Sequence, residues 1–449
     1  MEQEKKLTSA DLNRSLGRKE LYSIAFGHVI GSGVFSLIGV AIGMTGKSVF
    51  IALLISAVLV IMQSLPLILL SGTARFRGGM YSMVSSMLGE KFAGFYVIIF
   101  FLANISLAMY AISFAQYLQN IFPSVPITLV SLIVLIFFFV VNLLGIENAA
   151  KLEFVMIIVM ALALALFVVY GLPQVDYTEF FNGEGFMTRG VYGLLAAGTL
   201  LTWATAGGID MVNLSAECKN PTRDLPQVIV VTTAAIAIFY ALIGVVAAGI
   251  LPLEDVIDQP LGVVAAVILP RPLYLFFVFG GALLALATTL NASFAWVTKP
   301  ILQACNDGWI PKQLGYIHPK TKTPIIILSV FFVIGLGPIL FGFDIGLIAD
   351  ISVILNNLLS VLVCLGVMFL PKRLPELWEK SAFHCGKGKL VVYSLLGAFG
   401  SGLAVVLLMM DAGKVQFIGM IIIAVAAFLY AFLRYKSGNV DMQDSVEEA

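Results

Sequence analysis

Ala25-Phe26-Gly27-His28-Val29-Ile30-Gly31-Ser32-Gly33-Val34-Phe35 is the stretch that decides the fold. It is apolar at both ends, yet its middle holds glycines, a histidine and a serine. A membrane-crossing helix gives up that much helix propensity only for a reason. Gly31-Ser32-Gly33 can open the backbone and leave N–H and C=O groups unpaired. Inside a bilayer such groups must be satisfied by protein, water or a ligand. The stretch therefore reads as a broken first transmembrane helix with a ligand at the break.

The surroundings of this stretch are equally apolar. Of 449 residues, 60% are hydrophobic and 12% charged, and the mean hydropathy is +1.01. Soluble domains carry roughly twice that charged fraction. Runs of about 20 apolar residues recur along nearly the whole chain, the mark of an all-α polytopic membrane protein. Met1 to Lys19 is charged and lacks an apolar core, so no cleavable signal peptide is expected. Cys218, Cys305, Cys364 and Cys385 have neither the spacing of a metal site nor a disulfide framework. No phosphate-binding loop and no nucleic-acid motif is present, so neither ATP nor nucleic acid is an expected partner, and no cofactor or metal is expected.

The apolar spans run over 22–43, 49–71, 93–121, 127–145, 153–172, 190–215, 227–251, 272–303, 324–342, 346–370, 390–410 and 415–433. That makes about twelve crossings, an even number that puts both termini on one side. Of the 26 lysines and arginines, about four (Lys47, Arg189, Arg271 and Lys414) fall in the opposite set of loops. The rest are assigned to the N-terminal arm, including Lys5 and Lys6, and to the alternate loops. The opposite loops hold Asp176, Glu179, Glu184, Glu254, Asp255 and Asp258. The positive-inside rule then makes both termini cytoplasmic, in a plasma (inner) membrane. The tail from Ser437 to Ala449 is polar and acidic and is expected to be disordered.

A second interruption lies in the sixth span, at Thr202-Trp203-Ala204-Thr205-Ala206-Gly207-Gly208-Ile209-Asp210. Small residues also permit close helix packing, which accounts for either interruption taken alone. The first and sixth spans are corresponding positions, however, if the chain holds two five-helix repeats. Paired Gly-broken segments in two halves point to a binding site near the membrane midplane.

Four stretches, in order, resemble the amino acid–polyamine–organocation superfamily of transporters. Gly27 to Phe35 is similar to its G-x-x-I-G-S-G-I-F signature. Gly78-Gly79-Met80-Tyr81 with Leu88-Gly89 resembles G-G-x-Y…L-G. Gly208-Ile209-Asp210 leading to Glu217-Cys218-Lys219-Asn220-Pro221-Thr222-Arg223-Asp224-Leu225-Pro226 resembles G-F-[DE]…E-x-K-N-P-x-R-D-[LI]-P, the most specific of the four. Asn306-Asp307-Gly308-Trp309-Ile310-Pro311 with Lys322-Thr323-Pro324 is similar to x-D-G-x-x-P…T-P. The resemblance covers about the first ten helices. It implies a five-plus-five inverted-repeat fold with broken helices 1 and 6. Residues 1–20 then form a cytoplasmic arm, 21–172 the first repeat, 188–371 the second, 390–434 two added helices, and 435–449 a cytoplasmic acidic tail.

It also implies secondary transport of amino acids or related amines. A substrate carboxylate would meet the free N–H groups of Gly31, Ser32 and Gly33, where helix 1 restarts. Glycine there lets the ligand approach the main chain. The ammonium would meet carbonyls of Val29 and Ile30, and of Ala204 and Gly207 in the second interruption, where Thr205 and Gly208 complete the lining. Asn104 and Ser293 match family positions that face the ligand, although each reads equally as a structural hydrogen-bonding residue, interhelical in the case of Asn104. The family's usual aromatic gate aligns with Ala204, with Trp203 as its neighbour. Gly207-Gly208 resembles the light chains of heteromeric amino-acid transporters that take large neutral substrates. The cysteine such light chains use for an ancillary subunit is missing from Phe122-Pro123-Ser124-Val125-Pro126, so no disulfide-linked partner is expected.

Coupling is left open between exchange and proton symport. The lysine that many sodium-independent relatives carry in helix 5 aligns with Met160, which has no charge. His28, with an unperturbed pKa of about 6.5, is a candidate for proton exchange, or else a hydrogen-bonded structural residue. Asp210 and Asp350 are the other intramembrane acids singled out. The alternatives are a polyamine or cationic amino acid carrier and a receptor that keeps the fold without transport. A membrane enzyme would need a catalytic cluster at one face, and no such set of residues appears.

Overall fold

The computed structural model describes residues 8–182, 185–411 and 414–448. Lys5, Lys6 and Glu184 lie outside the described residues. The chain is almost entirely helical. The first span is broken into α1 (Arg18–Val29) and α2 (Ser32–Thr45). There follow α3 (Val49–Ser71), α4 (Met80–Leu88), α5 (Glu90–Ala103), α6 (Ser106–Ile121), α7 (Ile127–Leu143) and α8 (Ile146–Gly171). The sixth span begins as α9 (Gly190–Thr205) and continues as a 3₁₀ segment, Ala206–Glu217. Then come α10 (Pro221–Gly249) and, after a π-helical turn at Phe277–Leu283, α11 (Leu284–Asn306). The chain ends with α12 (Ile325–Phe341), α13 (Ile345–Gly366), α14 (Lys387–Asp411) and α15 (Lys414–Lys436).

Among the described residues, 8 helical spans are long and apolar enough to cross a membrane. The four remaining spans read from the sequence have local explanations. Two are the broken ones. The other two, α7 and α12, are apolar helices of 17 residues. Their ends follow elementary capping rules. Asp344 accepts the amide of Leu347 at 3.1 Å to start α13, and Gly342 takes the left-handed conformation (φ 67°) that stops α12. Large apolar side chains stand exposed on the outer helices, among them Ile133 and Phe137 of α7 and Ile422 and Leu429 of α15. In a soluble protein such a surface would aggregate; against lipid it is the expected exterior.

α1 occupies the middle of the bundle. It packs against α8, α10, α11 and the 3₁₀ segment. α14 and α15 lie outside, on α13 and α5 respectively.

The tail departs from the expectation of disorder. Val446–Glu447 forms a short strand, β2, antiparallel to β1 (Arg75–Phe76). Glu447 pairs with Arg14 at 2.8 Å and with Arg77 at 3.1 Å, and Arg75 lies 3.6 Å away. Gln443 donates its amide to Asp307. A polar, acidic segment lacks the apolar area to order itself, but here it borrows fixed cationic partners and an open strand edge from the bundle. The N-terminal arm and the tail therefore meet at one end of the molecule.

Candidate functional site

The break in the first span is short. Ile30 (φ −77°, ψ 80°) and Gly31 (φ −122°, ψ −154°) leave the helix, and Ser32 re-enters it. Gly31 provides no side-chain cap, so the first N–H groups of α2 have no partner within the helix. The Val29 carbonyl already receives the Gly31 amide at 2.8 Å and the Tyr240 hydroxyl at 3.3 Å. The second interruption is spread out. Twelve residues run as 3₁₀ helix, far beyond the usual three or four, a sign of a hinge or of strain.

The two interruptions touch. A Cβ on Gly33 would lie 2.7 Å from Cα and Cβ of Ala204, and one on Gly207 would lie 3.1 Å from the His28 carbonyl. A Cβ on Gly31 would overlap the Thr289 hydroxyl of α11. These glycines are required by close approach and not by positive φ. His28 Nε2 lies 3.0 Å from Asp210 Oδ2, joining α1 to the 3₁₀ segment. His28 Nδ1 is buried without a partner, and the Trp296 ring stands edge-on to the imidazole at 5.9 Å.

The structure brings together most of the residues singled out in the sequence. Val29, Ile30, Ala204 and Met160 are buried in one apolar cluster. Ser32 starts α2, and its side chain lies outside the described part. Gly208 is buried and has space, the nearest atom to a built Cβ being 3.7 Å away. Trp203 is half-buried against the larger core cluster, while Ala204 takes the position facing Gly33.

Several side chains do something other than expected. Thr205 turns its hydroxyl to Leu201 and to Ser56 of α3, at 3.2 and 3.3 Å, and so away from α1. Asn104 sits at the interruption between α5 and α6 and donates to its own helix, at the Phe100 carbonyl, 2.7 Å away. That bond is not interhelical. The Ser293 hydroxyl likewise donates to Thr289 of its own helix. Asp350 is held by Gln416 of α15 at 3.2 Å.

Sequence reasoning also missed buried groups. Lys299 falls within the eighth span, 272–303, but was not singled out; it lies inside α11 and pairs with Glu217 at 3.1 Å, both side chains being buried. The charge was hidden inside a span whose average hydropathy stayed high. Glu153 of α8 is fully buried and accepts from Asn291 of α11 at 2.6 Å. Its position in the sequence, near the start of an apolar run, was the available signal.

At the end of the bundle three of the quoted motifs converge. Tyr81 donates to Asp307 at 2.6 Å, Met80 donates its amide to Asn213, and Arg18 holds Asp224 at 2.6 Å. Arg75 donates to the carbonyls of Ser215, Cys218 and Lys219. Burial raises the Asp307 carboxyl to about 6, outweighing the donors from Tyr81, Gln443 and Gln303.

The chain is similar to known proteins over most of its length. A family model described as amino acid permease matches residues 16–433. The chain is 24% identical over 403 residues to a branched-chain amino acid permease of Bacillus subtilis, covering 83% of this chain and 84% of that one. It is 23% identical over 413 residues to a D-serine/D-alanine/glycine transporter of Escherichia coli, covering 86% and 87%. It is 22% identical over 408 residues to a methylthioribose transporter of Bacillus subtilis, covering 84% and 85%.

Proposed function

We propose a function that starts from one established fact: this chain belongs to the amino acid permease family. Membership makes it a multi-pass membrane transporter and not an enzyme. On our reading it is a secondary active transporter of neutral amino acids, large ones included. It works by alternating access, as an exchanger or a proton-coupled symporter, in a plasma membrane with both termini cytoplasmic. The twelve spans are twelve crossings, with 21–172 and 188–371 as inverted five-helix repeats, followed by the two helices of 390–434.

The observation that carries this reading is the meeting of the two interruptions, with Gly33 on Ala204 and His28 on Asp210. Free amides at the start of α2 suit a carboxylate, and carbonyls at the end of α1 suit an ammonium. The pair His28–Asp210 ties the two broken segments together, so a ligand between them senses both. Gly207 lets the second interruption close on His28, and Gly208 beside it adds no side chain to the pocket wall. The likeness to a branched-chain amino acid permease and to a D-serine/D-alanine/glycine transporter supports a neutral substrate.

A thermal-shift screen of the purified protein against the twenty amino acids and putrescine tests the substrate class. A ligand that binds only the folded state raises the unfolding temperature. Leucine, phenylalanine or alanine should give the largest shifts. Shifts confined to arginine, lysine or putrescine would replace this reading with a cationic carrier.

A further inference from the structure

We propose that Glu153 is the proton-binding group that couples transport to a pH gradient. The proposal rests on the transport reading above and assigns its coupling ion and the residue that carries it.

Glu153 is fully buried, and one of its oxygens has a single donor. Asn291 gives one amide hydrogen to Oε2 at 2.6 Å and the other to the Ala149 carbonyl at 3.1 Å. The oxygen of Asn291 is taken by Asn142 of α7, which also donates to Phe138. The NH2 groups of both amides are thus fully committed. Oε1 has no partner. It is pressed against α1 at Gly27, where a built Cβ would overlap it.

No cation pairs with Glu153 among the described residues: Lys151 of α8 and Lys219 line the neighbouring cavity but are exposed. On α1, His28 pairs with Asp210, Arg18 with Asp224, and Lys19 lies over the Phe154 ring at 4.3 Å. Glu20 accepts the Gly17 amide. On α11, Lys299 belongs to Glu217. On α10, Tyr240 donates to Val29. α7 and the π-helical turn carry no ionisable residue. An ionised carboxylate in this setting would be desolvated with one hydrogen bond, which is prohibitive, so the group holds a proton while α1 is packed on it.

A path to water ends just short of it. A cavity of about 500 Å³ between α1 and α8 is lined by Lys19, Glu20 and Ser23 on one side and by Glu147, Ala150 and Phe154 on the other. Ser23 is one turn from Gly27, and Ala150 is one turn from Glu153. When α1 moves aside, the cavity extends to the carboxyl, which releases its proton to cavity water as a carboxylate. It takes up its next proton only in the state open to the opposite side of the membrane, so each cycle carries one proton across. His28, whose Nε2 is committed to Asp210, is not needed for this cycle.

Glu153→Gln separates coupling from structure, because the amide carbonyl still accepts from Asn291 but cannot titrate. The full-length protein in proteoliposomes is given labelled leucine, with the interior one pH unit more alkaline, and separately with leucine on both sides. Wild type should accumulate leucine about tenfold, the limit for one proton per substrate. In Glu153→Gln the ratio of gradient-driven uptake to exchange should fall about tenfold. Retained accumulation in the variant overturns the proposal, as does wild-type exchange indifferent to pH or driven only by sodium. If wild type moves no amino acid at all, the transport reading fails instead. Glu153 is then judged by infrared spectroscopy. A protonated-carboxyl band that titrates in wild type and is missing from the variant upholds the proton site; the same band in both removes it.

Discussion

The break around Gly31 and the end of the bundle around Glu447 are built from opposite materials. At the break, beside the His28–Asp210 pair, the contacts are made where side chains are missing: Gly33 on Ala204, Gly207 on His28, Gly31 on Thr289. At the end they are made by long charged side chains: Arg14 and Arg77 on Glu447, Arg75 on three carbonyls, Arg18 on Asp224. Shape tolerates no added atom, while a partly exposed pair such as Arg14–Glu447 can open at small cost. The difference assigns separate sensitivities. The break should fail by overlap and ignore salt. The end should respond to salt and pH.

The largest expected effect lies between the two regions, at the buried Glu217–Lys299 pair. Lys299→Met leaves Glu217 buried without its cation and should cost about 3–5 kcal/mol of stability, read as a drop in unfolding midpoint. Combining it with Glu217→Leu should restore much of the loss. A double variant no better than the single one would show that the pair does more than balance charge.

Next comes a pH effect confined to the end. Asp307 is raised from 3.8 to about 6 in the fold, so folding favours its protonated form. Its contribution is complete below about pH 4 and is lost as pH rises through about 6, a change of up to about 3 kcal/mol. Asp307→Asn should flatten that part of the stability–pH curve. An unchanged curve would place the titration elsewhere.

At the break, Gly33→Ala should cost about 1–3 kcal/mol, because the atom it meets is Ala204 backbone. Ala204→Gly should return part of it, and Gly208→Ala should be nearly silent, its nearest neighbour being 3.7 Å away. Equal costs at positions 33 and 208 would break the contrast.

The smallest effect belongs to the tail. Glu447→Gln should cost about 1 kcal/mol, and high salt should mimic it in wild type. A salt-independent loss would mean that the strand pairing of Val446 and Glu447, and not their charge, holds the tail.

The same contrast explains what was legible in the sequence. Gly31-Ser32-Gly33 is visible because glycine and serine are conspicuous in an apolar run, and the structure breaks the helix there. Gly207-Gly208 marked the second interruption but not its form, since 3₁₀ geometry over twelve residues depends on what Gly207 and Asp210 meet across the interface. Thr205 and Asn104 show the limit of residue type alone. Both are polar in a helix, and both spend a hydrogen bond on their own helix's backbone. The ordered tail was illegible for a different reason: its partners Arg14, Arg75 and Arg77 are hundreds of residues away. Lys299 and Glu153 were masked by the hydropathy of their neighbours, although single charges in such spans are functional suspects by default.

The measurement that tests the central claim most directly is leucine counterflow in proteoliposomes, in sodium-free choline buffer, with unlabelled competitors. The account predicts labelled leucine uptake against internal leucine without sodium. Phenylalanine and alanine should compete for it, and arginine and putrescine should not. Binding without any counterflow would identify a receptor. Counterflow restored only by sodium, or blocked best by arginine or putrescine, would contradict the reading of the two interruptions as a sodium-independent site for neutral amino acids.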